Sequence, residues 1–119
     1  MQINKEGVSG ELFAARHMRD NGYMLVFSNY RCRFGEIDII GKKDGYICFV
    51  EVKTRSENAI YEPKEAVGSD KQARIIAAAQ AFSQVYPYTE QMRFDVCEVF
   101  LNEKRQAVKI NYIENAFNG

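Results

Sequence analysis

Two short runs decide the fold: Gly35-Glu36-Ile37-Asp38-Ile39-Ile40 and Phe49-Val50-Glu51-Val52-Lys53-Thr54-Arg55, joined through Asp44-Gly45. Both are rich in β-branched residues, and Asp-Gly is a strong hairpin signal, so the runs read as adjacent strands. Side chains alternate faces along a strand. Alternation puts Glu36 and Asp38 on one face, with Ile37 and Ile39 on the other. It likewise puts Glu51, Lys53 and Arg55 together, opposite Val50 and Val52. With the strands paired, Glu36, Asp38, Glu51 and Lys53 converge on one patch.

Such a patch is costly. Neighbouring carboxylates raise one another's pKa, and a divalent cation removes that penalty. Magnesium favours one or two carboxylates completed by water and substrate phosphate. Bound in this way it polarises a phosphoryl oxygen and generates hydroxide from water. A lysine two residues beyond the glutamate shares its face and can orient the water or stabilise developing charge. The spacing Asp-x(12)-Glu-x-Lys therefore fits metal-assisted phosphodiester hydrolysis. The ordinary alternative is a solvated hairpin face with Glu51 and Lys53 as surface charges. Against it, the apolar residues flanking both runs suggest strands deep in a sheet, where unpaired charge is expensive.

Outward from these strands the chain is regularly patterned. Lys5 to Asp20 reads as a helix, with Val8, Leu12 and Ala15 marking one stripe and Glu11, Ala14 and Met18 beside it. Asn21-Gly22 stops it. Tyr23 to Arg31 reads as a first strand, Glu36 to Gly41 as a second and Tyr46 to Lys53 or slightly beyond as a third. Ser56 to Gly68 is a polar loop. Ser69 to Val85 is the clearest helix, with Ser69 and Gln72 at capping-box spacing and Ile75, Ile76, Ala79 and Phe82 on its apolar face. Met92 to Leu101 and Ala107 to Ile113 are two further strands, with Glu103-Lys104-Arg105 as their turn. The order αβββαββ predicts an α/β fold with a mixed five-stranded sheet flanked by helices.

Bulk properties agree with one domain spanning residues 1–119. The 119 residues are 46% hydrophobic, enough for a core without disulfides. Cys32, Cys48 and Cys97 are odd in number and far apart, and His17 is the sole histidine, which argues against structural zinc. The charged N-terminus lacks the apolar core of a signal peptide, and no apolar stretch reaches membrane-span length, so a cytoplasmic location is expected. The formal net charge of zero counts mildly against a generic nucleic-acid-coating protein, which would be basic, but does not exclude a nuclease, because acidic ligands can cancel phosphate contacts in the sum.

With these residues in hand, the chain resembles the YraN-like bacterial family, grouped with endonucleases of the PD-(D/E)XK superfamily and related in fold to archaeal Holliday junction resolvases. The resemblance rests on Gly10-Glu11, Ala14-Ala15, Gly22-Tyr23, Asn29 and Arg31. It continues through the GEIDII run, the FVEVKTR run, Lys71, Arg93-Phe94-Asp95-Val96 and Ala116-Phe117. It implies a restriction-endonuclease-like core in which Asp38 and Glu51 bind Mg2+ or Mn2+ with the Val52 carbonyl, and Lys53 is the catalytic lysine. Glu11 would be an additional acid from the first helix. Ile37-Asp38 stands where the superfamily name has proline-aspartate. The implied substrate is DNA, branched DNA included, and a homodimer would suit a four-way junction that needs two cuts. The competing expectation is a module that keeps the fold and binds nucleic acid or protein without cutting.

Other residues carry paired readings. Glu36 either supports the ligands or pairs with a nearby arginine. Arg31, Arg33 and Arg55 are candidates for backbone-phosphate contacts, as are Lys71 and Arg74 near a helix N-terminus. Gln72 either reaches the site or completes the cap. Arg93 and Asp95 read as a structural pair, His17 as a helix-surface residue, and Tyr86 and Tyr88 as packing at the helix end.

Overall fold

A computed structural model describes residues 5–58 and 67–118, with side chains from residue 10 onward in the first helix. The elements are α1 (Lys5–Asp20), β1 (Met24–Cys32), β2 (Gly35–Lys43), β3 (Tyr46–Ser56), α2 (Ser69–Val85), β4 (Gln91–Leu101) and β5 (Ala107–Phe117). They form the predicted five-stranded mixed sheet, in spatial order β1-β2-β3-β4-β5. β1, β2 and β3 are an antiparallel meander. The chain then returns through α2 so that β4 runs parallel to β3, and β5 closes antiparallel on β4. Most of the predicted loop from Ser56 to Gly68 lies outside the described residues.

Strand alternation divides the core into two layers. Ile47 and Phe49 of β3, with Phe94 and Val96 of β4, meet Ile75, Ala78, Ala79 and Phe82 of α2. Cys48 and Val50, with Cys97 and Val99, meet Ala14 and Met18 of α1. β3 and β4 are thus covered on both faces, which explains their nearly unbroken apolar runs. Phe82 anchors the α2 layer, edge-on to Tyr30 at 5.2 Å and to Phe49 at 5.9 Å, with Tyr86 at 5.0 Å. Such ring pairs contribute about 0.5–1.5 kcal/mol each beyond simple burial. Tyr86 and Tyr88, which lies 6.2 Å from Phe49, pack the helix end as expected.

Two expectations about the helices are corrected. Leu12, placed on the stripe of α1, is 62% exposed, whereas Gly10, Ala14 and Met18 are buried. The buried face follows i, i+4, i+8 spacing, with the small residues Gly10 and Ala14 followed by Met18. The Ser69–Gln72 capping box does not form either. Gly68 is the N-cap, and the Gln72 side chain donates to the Val67 carbonyl at 2.9 Å.

Gly10 is where α1 approaches β3 most closely. A Cβ built there would run into Thr54 Oγ1 and lie 3.3 Å from Thr54 Cβ. Gly10→Ala is therefore expected to destabilise the fold by about 1–3 kcal/mol through overpacking. The loss should be partly recovered in a Gly10→Ala/Thr54→Ala double variant. Denaturant unfolding of the four proteins checks this, and strict additivity would refute the contact.

A buried polar network fastens β5. Between Phe94↔Phe117 and Val96↔Ile113, β5 carries extra residues opposite Asp95, a wide bulge with Asn115 in the left-handed region at φ 52°. Asp95, fully buried, substitutes for the missing ladder partner by accepting from Asn115 N at 2.9 Å. It also accepts from Arg93 Nε at 2.9 Å and from Tyr112 Oη at 2.6 Å. Arg93 in turn donates to Tyr23 Oη at 2.8 Å. The bulge extends β5 beyond the predicted end at Ile113. Arg93 and Asp95 are the structural pair that was expected, and His17 stacks near Tyr112 at 6.2 Å.

The cysteines behave as small apolar residues. Burial pushes the thiols of Cys48 and Cys97 up to about 12, and both lie in the α1 layer. Only the thiolate reacts. With an exposed-thiol reagent, the native protein should therefore titrate Cys32 alone, and unfolded protein all three cysteines. Rapid native reaction of two or more thiols would contradict this packing.

Candidate functional site

The site arises where β2 parts from β3. Pairing between them runs from Lys43↔Tyr46 to Ile39↔Val50 and stops there, while β2 stays paired to β1 as far as Gly35. Asp38 is the first residue past the fork. The predicted alternation also fails at this point: Ile37 packs in the α2 layer and Ile39 in the α1 layer, so they do not share a face. Across the β1–β2 ladder Asn29 adopts φ 54°, a left-handed conformation that asparagine tolerates better than most residues. The break in the pleat turns Asp38 toward β3. Its Oδ2 accepts from Val52 N at 2.8 Å, occupying a donor that the diverging β2 leaves without a ladder partner.

The fork opens into a cleft of about 520 Å³ lined by Glu11, Asn29, Arg31, Glu36, Asp38, Glu51, Val52, Lys53, Thr54 and Lys71. Each element contributes for a local reason. β3 supplies Glu51, Lys53 and Thr54 at its end, α1 brings Glu11 past the close contact at Gly10, and α2 brings Lys71 in its first turn. All four residues predicted to converge, Glu36, Asp38, Glu51 and Lys53, line the cleft.

Electrostatics in the cleft are strained. Glu51 is 4% exposed, and its Oε1 lies 2.9 Å from Lys71 Nζ and 3.8 Å from Lys53 Nζ. Burial, then the neighbouring charge of Glu51, pushes the Asp38 carboxyl up to about 7, despite the stabilising Val52 N–H. Burial also raises the Glu11 carboxyl, and the neighbouring charges of Glu36 and Glu51 push it the same way. Glu36 sits at the rim in an exposed ion pair with Arg31 at 3.2 Å, the ordinary reading for that residue.

The other predicted contacts separate. Arg31 and Lys71 line the cleft, whereas Arg33 and Arg55 do not. The Arg33 guanidinium rests over Phe34, 4.8 Å from the ring centroid. Arg55 lines a neighbouring pocket with Ser56, Asn58 and Arg105. Two contributors were not given these roles from sequence. Asn29 entered as one of the residues that carry the family resemblance, with no role assigned to it, and as a residue poor in β-propensity inside a strand. Thr54 entered only as a member of the FVEVKTR run, with no role assigned to it.

The donor set around the fork is all oxygen: the Asp38 and Glu51 carboxylates, the nearby Val52 backbone and Glu11. Hard cations such as Mg2+ and Mn2+ prefer such a set, and soft metals do not. Among the described residues no three His, Cys, Asp or Glu side chains form a ready-made cage. Two carboxylates with remaining positions left to water or phosphate are the pattern magnesium uses.

Sheet, fork and cleft together define an α/β protein with an acidic, lysine-bridged site at the end of a central strand. The chain belongs to the uncharacterised protein family UPF0102, whose model matches residues 10–99. It is 42% identical to a UPF0102 protein of Caldicellulosiruptor saccharolyticus, over 98% of this chain and 100% of that one. It is 44% identical to a UPF0102 protein of Alkaliphilus oremlandii, over 97% and 100%. A UPF0102 protein of Clostridium perfringens is 40% identical, over 93% and 92%. The matched region covers α1 from Gly10, the fork and α2. No helix among the described residues is long and apolar enough to cross a membrane.

Proposed function

We propose that the chain is a metal-dependent nuclease of the PD-(D/E)XK type that hydrolyses phosphodiester bonds in nucleic acid, branched DNA included. One observation carries the reading: the Asp38 carboxylate is tethered to the β3 backbone at Val52, between Glu51 and Lys53. This gathers an aspartate, a glutamate and a lysine from two strands at one cleft. In this reading Asp38 and Glu51 hold Mg2+ or Mn2+, with the Val52 carbonyl assisting and Glu11 close behind. The ion would supply Lewis acidity and a water of lowered pKa. Lys53, with its ammonium near Glu51, orients the attacking water and balances charge developing on the phosphoryl group. Arg31 at the rim and Lys71 receive the backbone phosphates.

Incubating the protein with linear, flapped and four-way DNA, with and without Mn2+, tests this. Manganese-dependent cutting that disappears in Asp38→Ala is the expected result. Binding that survives Asp38→Ala, with no substrate cut under any condition, would instead identify a non-cleaving module.

A further inference from the structure

We propose that Lys71 is a counter-ion built into the site, holding Glu51 until a divalent cation takes its place and thereby setting the affinity for that cation. The inference rests on the reading of Asp38 and Glu51 as a cation site, and gives Lys71 a role distinct from that of Lys53.

Geometry separates the two lysines. Lys71 Nζ is 2.9 Å from Glu51 Oε1, hydrogen-bond distance, whereas Lys53 Nζ is 3.8 Å away. The Glu51 side chain is only 5% exposed and would be costly to bury as a lone charge. Lys71 offsets that cost from α2, across the cleft, on a side chain 39% exposed. Lys53 extends from the same strand as Glu51 and is 26% exposed. A flexible ammonium at the cleft wall can leave Glu51 without any backbone movement.

A divalent cation approaching Glu51 must displace this ammonium or bind against its repulsion. Once displaced, Lys71 still lines the same cleft as Arg31 and can meet a phosphate oxygen. Cation uptake and phosphate binding are then coupled through one side chain, and such coupling is reciprocal.

The test is calorimetric titration of Mn2+ into wild type, Lys71→Met, Lys71→Arg and Lys53→Met, with thermal unfolding of each variant confirming its fold. Removing a partly exposed cation beside the ligand should tighten Mn2+ binding about three- to tenfold in Lys71→Met. Lys71→Arg keeps the charge and should bind as wild type does, and Lys53→Met should change affinity less than Lys71→Met. Manganese bound by Lys71→Met but not detectably by wild type would support the proposal more strongly. Unchanged or weaker binding in Lys71→Met, with wild type binding normally, overturns it and leaves the nuclease reading intact. Absence of binding in all four proteins overturns both.

Discussion

Asp95→Ala is expected to lower the melting temperature by about 10–20 °C. The carboxylate is fully buried and accepts from Arg93, Tyr112 and the backbone N–H of Asn115. Alanine would leave a largely buried guanidinium, a phenol and a bulge amide without that acceptor. Removing one partner of a buried ion pair costs about 3–5 kcal/mol, mostly because the remaining charge is stranded. For a domain of this size each kcal/mol moves the midpoint by several degrees. Tyr112→Phe should cost far less, about 1 kcal/mol, since Asp95 keeps its other donors. Thermal unfolding followed by circular dichroism decides the matter. A shift under 5 °C for Asp95→Ala would mean that the network is not what holds the β5 bulge.

The same network shows what the sequence could and could not reveal. Period-two alternation and Asp44-Gly45 suffice to place β2 and β3, because both signals are local. Arg93 and Asp95, two apart on one strand, likewise announce a pair. Asn115, which gives the carboxylate a structural purpose, lies on another strand behind a bulge, and no local spacing encodes that. The site divides in the same way. Asp38, Glu51 and Lys53 line one cleft, but a shared strand face is not what brings them together. Asp38 reaches β3 because the pleat breaks near Asn29 and the strands fork beyond Ile39, both tertiary events. Arg55 was grouped with Glu51 and Lys53 by parity, yet at the strand end it lines a neighbouring pocket. Leu12 failed for a related reason: hydrophobicity marked it as core, but close packing of α1 at Gly10 turns the face of Gly10, Ala14 and Met18 to the sheet.

Asp38→Asn should separate activity from stability. Cleavage by the proposed nuclease should fall by about 10³-fold or more, since a ligand that holds the cation is worth several kcal/mol of barrier. Metal-free stability at neutral pH should rise. Burial and the charge of Glu51 push the folded-state Asp38 carboxyl from its ordinary 3.8 up to about 7, so the native state binds more protons than the unfolded chain between those values. Where the native state holds more protons, stability falls as pH rises. Asp38 therefore contributes no penalty below about pH 4, a growing one from pH 4 to 7, and a full one above, on the order of 4 kcal/mol. Asparagine can still accept the Val52 N–H bond but carries no charge. Its advantage over wild type should be absent near pH 4 and largest at pH 8. Adding Mn2+ at pH 8 should narrow the gap by stabilising wild type alone, because a ligand that binds only the native state raises its stability by mass action. Urea titrations at pH 5 and pH 8, with and without Mn2+, give the four comparisons needed. A variant less stable than wild type at pH 8 without metal would show that the Asp38 charge is satisfied by the protein itself, and the argument for a cation at the fork would lose its electrostatic basis.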